Sequence, residues 1–139
     1  MSALIPHKTA INPYLIVADV EKTIAFYEKA FGFKTIERAP GEDGKTIVHA
    51  ELLFRDELVL IGRVGSCGST LQTPKQTGMR CPVTVCLTTP RVDDFYAHAM
   101  AHGAISIEAP ADRPWGARSC NLQDIDGYVW CVLTLHEHH

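Results

Sequence analysis

The 139-residue chain holds no uninterrupted apolar stretch of membrane-spanning length, no run of lysine or arginine and no CxxC pair. A spanning helix needs about 20 consecutive apolar residues, so no membrane helix is expected. The opening MSALIPHKTAINPYL lacks a long apolar run behind a basic start, so no signal peptide is expected and the chain is placed in the cytoplasm. With a formal net charge of −3 and no basic cluster, the sequence offers neither nucleic acid nor an anionic membrane an electrostatic footprint. The five cysteines, Cys67, Cys81, Cys86, Cys120 and Cys131, are odd in number. They read as small buried hydrophobes of a reducing compartment, not as a disulfide framework or zinc knuckle. Also missing are a Ser-His-Asp arrangement, a phosphate-cradling glycine loop and a dinucleotide fingerprint.

What is present is an ordinary globular composition at a length that suits one domain over 1–139. INPYLIVAD (Ile11 to Asp19) reads as a strand closed by a helix N-cap. In VEKTIAFYEKAFG, Ile24, Tyr27 and Phe31 recur at helical spacing, Phe26 and Ala30 widen the stripe, and Gly32 supplies a left-handed stop. FKTIERA, the turn GEDG, KTIVHAELLF, the turn RDE and LVLIG then read as a three-stranded meander.

A Gly-, Ser- and Thr-rich stretch with no apolar period follows, after which the pattern restarts. Pro82 to Thr88 (PVTVCLT) reads as a strand, with Thr89 as N-cap and Pro90 at the first helical position. Val92, Phe95, Tyr96, Ala99 and Met100 form the expected buried stripe of the second helix, which Gly103 ends. AISIEAP, ARSCNLQ, the turn DIDG and YVWCVLTL complete three more strands. Val20 matches Val92 and Gly32 matches Gly103 with a one-residue gap, which points to an internally duplicated βαβββ unit. The modules are expected at 8–62 and 81–135, joined by a connector at 63–80 and followed by a His-rich tail at 136–139.

PYLIVAD with IAFYEKAFGF, then HAEL, then RPWGARS with DIDGYVW resemble, in this order and over nearly the whole chain, the vicinal-oxygen-chelate superfamily. That superfamily includes glyoxalase I, ring-cleaving dioxygenases and bleomycin-type resistance proteins, and the resemblance is to its PhnB-like branch in particular. It implies an α+β fold in which two βαβββ modules form a cup-shaped mixed sheet, with helices on the convex side and a ligand pocket on the concave side. It also implies a homodimer. Strand parity then sorts side chains. Val83, Val85 and Leu87 fall on the helix side, with Thr84, Cys86 and Thr88 on the cup side. Leu15 and Val17 pack under the first helix and leave Asn12, Tyr14 and Ile16 for the cup. In the last strand Tyr128, Trp130 and Val132 are core, and Val129, Cys131 and Leu133 face the cup.

Metal-dependent relatives carry His, Gln or Glu ligands at four positions, which by the resemblance fall on Asn12, near Leu60, on Thr84 and on Cys131. An amide, an alkyl group, a hydroxyl and a thiol lack the imidazole and carboxylate donors that zinc, nickel, iron or manganese need, so no metal and no other cofactor is expected. His49 and Glu51, two apart on one strand face, could supply donors from a shifted position, but two ligands from one strand fall short of a site.

The candidate ligand-binding residues are Tyr14, His49, Glu51, Thr84, Trp115, Arg118 and Cys131. Trp115, in a Pro- and Gly-flanked loop, reads either as a pocket-rim aromatic that stacks a planar group or as loop packing. Arg118 reads either as a partner for a ligand carboxylate or phosphate or as half of a surface salt bridge. His49 and Glu51 interrupt an apolar strand, so they mark either a functional pair or a half-exposed meander strand. His98 and His102 lie i, i+4 away from the apolar stripe and are expected to be solvated. His136, His138 and His139 are assigned no function. The expected activity is metal-free binding of a small, planar or antibiotic-like molecule. The alternatives are a metal-dependent lyase or dioxygenase with an atypical ligand set, and a metal-free isomerase using His49 or Glu51 as base.

Overall fold

In the computed structural model, which describes residues 10–136, strand β1 (Tyr14–Val17) leads through Asp19 into helix α1 (Val20–Phe26). Asp19 is the expected N-cap: its backbone is extended and its carboxylate accepts from Lys22 N at 3.1 Å, satisfying one of the first-turn amides. The last turn widens to a π-turn over Tyr27–Phe31 before Gly32, at φ 76°, closes it in the left-handed conformation. This brings Phe26, Tyr27, Phe31 and Phe33 together with ring centroids 5.1–5.9 Å apart. The FY-x-x-x-FGF pattern is therefore an aromatic core cluster.

Three antiparallel strands follow: β2 (Lys34–Pro40), β3 (Ile47–Phe54) and β4 (Glu57–Arg63). The GEDG turn between β2 and β3 is closed by Asp43, which accepts from Lys45 N, Thr46 N and the Thr46 hydroxyl. Those hydrogen bonds, led by the hydroxyl, hold its carboxyl below the usual range. Strand β1 then pairs in parallel with β4, giving a mixed sheet of order β1-β4-β3-β2.

The second unit repeats this order. Strand β5 (Val85–Thr88) and helix α3 (Val92–Ala101) precede β6 (Ile105–Arg113), β7 (Ala117–Gln123) and β8 (Val129–Leu135), in a mixed sheet of order β5-β8-β7-β6. The chain is thus α+β, with two four-stranded mixed sheets. Contacts divide it between Thr73 and Pro74, inside the stretch read as a connector. That stretch is not structureless: it carries a 3-10 turn at Ser66–Gly68 and a single helical turn, α2 (Pro74–Thr77). Lys75 N donates to Asp126 O, fastening α2 to the second unit.

Several sequence expectations need correction. Strand β1 starts at Tyr14, not Ile11, and β5 starts at Val85, not Pro82, so Val83 is 66 % exposed instead of packed under a helix. Thr89 and Pro90 do not begin α3. Arg91 occupies the N-cap and makes no side-chain cap bond. The cap comes from far along the chain: the Thr134 hydroxyl accepts from Val92 N at 2.9 Å and donates to Thr89 O at 2.8 Å. Of the expected stripe, Val92 and Ala99 are buried, whereas Met100 is exposed.

The DIDG turn holds more than a reversal. Asp124 is buried, and its Oδ1 accepts from Asp126 N at 2.9 Å and Tyr128 N at 3.0 Å, while Oδ2 accepts from Trp130 Nε1 at 2.9 Å. Trp130 is fully buried, which requires a partner for its indole N–H, and Asp124 is that partner. Gly127 must be glycine: at φ 93°, a Cβ would stand 2.7 Å from Lys75 N. Replacing Asp124 by Ala strands three buried donors at once, so Asp124→Ala is expected to lower the unfolding free energy by about 3 kcal/mol or more in equilibrium urea melts. Asp124→Asn, which keeps an acceptor, should lose less. An Asp124→Ala loss below about 1 kcal/mol would remove this carboxylate from the core of the second unit.

Candidate functional site

Each sheet packs one face on its helix, and the chemistry collects on the other. In β3, Ala50 and Leu52 are fully buried and share the face of Ile61 and Val59 in β4. His49 and Glu51 alternate with them and so lie on the open face, across from Gly62 and Leu60. Tyr14 and Ile16 join that face, because they pair with Leu60 and Gly62.

The structure thus gathers Tyr14, His49 and Glu51. His49 Nε2 lies 3.3 Å from Glu51 Oε2, and the Tyr14 ring lies 5.9 Å from the imidazole, tilted by 35°. Tyr14 can lie across β4 because residue 62 is glycine: a Cβ there would meet the tyrosine hydroxyl, with Cε1 3.0 Å away. Glu51 is 3 % exposed, and its Oε1 is buried with no hydrogen-bond partner. Glu37 of β2 sits directly opposite Glu51, adding a second carboxylate to the same face. An unsatisfied buried oxygen costs roughly 1–3 kcal/mol, which a hydrogen-bond donor brought from outside would recover.

On the second sheet Cys131 takes the expected open-face parity, in register with Cys86 across β5–β8 and with Asn121 across β7–β8. A polar chain runs beside it. Asn121 Nδ2 donates to Glu108 Oε1 at 2.9 Å, and Arg113 donates to Glu108 Oε2 at 3.3 Å and, through Nε, to Ser119 Oγ at 2.8 Å. Burial, together with Cys86, raises the Cys131 thiol above its ordinary value, and burial raises that of Cys120, on the opposite face, to about 11. Glu108, Arg113, Ser119 and Asn121 were not singled out from sequence. Applying the two-residue alternation to ARSCNLQ would have separated Ser119 and Asn121 from Arg118.

The other candidates are placed apart. Arg118 pairs with Thr134, on the helix side of the second sheet, and is held there by Asp93 of α3 at 3.0 Å and by Asp112 at 3.5 Å. The hydrogen bonds it donates to Asp93 raise its already high pKa. It lines a depression of about 480 Å³ with Asp93, Thr134 and His136, so it is the salt-bridge reading that the geometry supports. Thr84 is exposed just ahead of β5. Trp115 is 61 % exposed at the β6–β7 turn. His98 of α3 and His102 at its C-cap are exposed, with rings 4.4 Å apart. His136 is exposed near Asp112, and His138 and His139 lie outside the described residues.

The residues at the four positions inferred for metal ligands do not suit a divalent metal: Leu60 has no donor, and Asn12, Thr84 and Cys131 supply no imidazole or carboxylate. Among the described residues no group of three or more His, Cys, Asp or Glu is arranged to hold a metal ion.

Residues 5–132 match the family model of the Glyoxalase/Bleomycin resistance protein/Dioxygenase superfamily. An uncharacterized protein of Mycobacterium bovis is 36 % identical over 125 residues, covering 88 % of this chain and 81 % of its own length. Among solved structures, TioX from Micromonospora sp. ML1 superposes with a TM-score of 0.74 at 24 % identity, covering 91 % of this chain and 98 % of TioX. The fosfomycin resistance protein FosX from Listeria monocytogenes, crystallised with Mn(II) and sulfate, gives 0.69 at 17 % identity, over 91 % and 90 % of the two chains. At these identities the structural likenesses establish the fold alone.

The contact of Tyr14 over Gly62 has a direct test. In Gly62→Ala the new methyl meets only the far end of a flexible side chain, so stability should change by less than about 1 kcal/mol while the Tyr14 ring is displaced. The His49 ring resonances, read by NMR, should shift as that neighbour leaves. Unchanged His49 resonances would refute the placement.

Proposed function

Because the chain belongs to the glyoxalase/bleomycin resistance protein/dioxygenase superfamily, whose fold does not fix a chemistry, we propose its function from its own residues. It binds a small organic molecule on the open face of the first sheet, without a divalent metal, and acts by sequestration in the manner of the superfamily's resistance proteins. Within the superfamily we place it in the PhnB-like branch, on the IAFYEKAFGF and DIDGYVW signatures.

The observation that carries this reading is the unpartnered Oε1 of Glu51. A ligand N–H or O–H would complete that carboxylate, and the half-exposed Tyr14 ring offers a planar group a surface to stack on. The second carboxylate at Glu37 and the absence of a cationic side chain among the register partners of Glu51 favour a donor that is an amine or another cation. The His49–Glu51 contact at 3.3 Å favours one second reading, metal-free proton transfer with this pair as base. Turnover of a bound compound, with solvent deuterium entering the product, would mark that case.

The decisive variant is Glu51→Leu. Replacing a half-satisfied buried carboxylate by an alkyl group of similar size should leave the melting temperature unchanged or raised. Binding of the panel used, bleomycin and mitomycin C, is expected at micromolar levels by thermal shift in the wild type and at least tenfold weaker in Glu51→Leu. No binding to the wild type, or equal binding to both proteins, would sink the proposal. For the metal, elemental analysis of protein lacking residues 136–139 should find well under one equivalent of zinc, nickel, iron or manganese. A stoichiometric metal that survives mild chelation would overturn the metal-free reading.

A further inference from the structure

Cys86 and Cys131 stand directly opposite each other, at one register position of the adjacent parallel strands β5 and β8. Cys86 is exposed and Cys131 half-buried, so the pair is reachable from solvent. On the same strand face as Cys131, Arg113, anchored on Glu108, donates to the Ser119 hydroxyl. Two thiols set side by side at one register position are not required by packing, because Cys86 buries little.

Neighbouring strands lie about 4.8 Å apart, so in-register side chains project in parallel with about that separation between their Cβ atoms. A disulfide wants Cβ atoms about 3.5–4.5 Å apart, closer than that general spacing. One atom inserted between the sulfurs removes that conflict. Two thiols also fall short of the four ligands of a structural zinc site, but they satisfy a soft centre that needs two.

We propose that Cys86 and Cys131 form a chelating dithiol site for a thiophilic centre that bonds two thiolates, the chemistry shared by trivalent monosubstituted arsenicals and two-coordinate soft metal ions. With an arsenical R–As=O, two S–As bonds form and the As=O bond breaks. The two thiol protons leave with the oxygen as water, and no oxidant or reductant is consumed. The site is independent of the binding proposed at Glu51 and stands or falls without it.

The test uses the full chain, fully reduced, with phenylarsine oxide as probe and intact mass as readout. One adduct per chain is expected, resistant to a monothiol wash and released by a dithiol. Cys86→Ser and Cys131→Ser should each lose the adduct, while Cys81→Ser and Cys120→Ala keep it. Because Cys86 is exposed, Cys86→Ser is not expected to disturb folding, and an unchanged melting temperature checks this. No adduct on the reduced wild type, or an adduct that survives in Cys86→Ser, overturns the proposal. Buffered copper(I) distinguishes the two sources: displacement of the arsenical at equimolar copper identifies a soft-ion site, retention an arsenical site, and either supports the pair.

Discussion

Strand alternation with one amphipathic helix per sheet is the constraint on which the rest of this structure depends. In each unit the helix covers one face, so every second residue of each strand is committed to the core: Val17, Ala50, Leu52 and Ile61 in the first unit, Cys120, Leu122, Trp130 and Val132 in the second. The intervening residues are not covered by the helix, and among them are His49, Glu51, Cys86, Cys131 and Arg113. A register slip by one residue would bring Glu51 under α1 and send Leu52 out, and the β3–β4 and β7–β8 pairings run without a register shift.

Two buried carboxylates show how the same group serves opposite ends. Asp124 has both oxygens engaged by three donors, all within six residues of it, and closes a turn around a buried indole. Glu51, equally buried, has one contact to His49 and an oxygen with none. The first arrangement gains from folding alone. The second is a cost that folding leaves standing, of the size one ligand hydrogen bond can offset, and this difference in satisfaction separates the structural acid from the candidate binding residue.

The parts of the fold legible in the sequence were those fixed by local periodicity and turn chemistry: the α1 stripe with Asp19 and Gly32 at its ends, the GEDG turn, and the repeat of helix and strands after residue 80. What escaped depended on partners distant in the chain. Thr134 caps α3 across 42 residues, so Thr89 and Pro90, which carry the right local chemistry, lost the position to a hydroxyl no local pattern could reveal. For Arg118 the sequence left a ligand and a salt bridge both open, and the partner it could not name was Asp93, 25 residues away on α3. The pairing of His49 with Glu51 was legible because two residues on one strand share a face whatever the tertiary structure does.

The duplication sharpens the comparison between the two open faces. Tyr14 precedes Val20 by the same number of residues as Cys86 precedes Val92, and each lies on the parallel strand next to the last strand of its sheet. The register partner of Tyr14 is Leu60, and that of Cys86 is Cys131. One topological position therefore carries an aromatic against an alkyl group in the first unit and a thiol against a thiol in the second. Strand order, hydrogen-bonding direction and helix placement are shared, so none of them accounts for the difference. It lies in side chains that the core does not constrain, and those are the positions where a fold can change what it binds without changing how it folds.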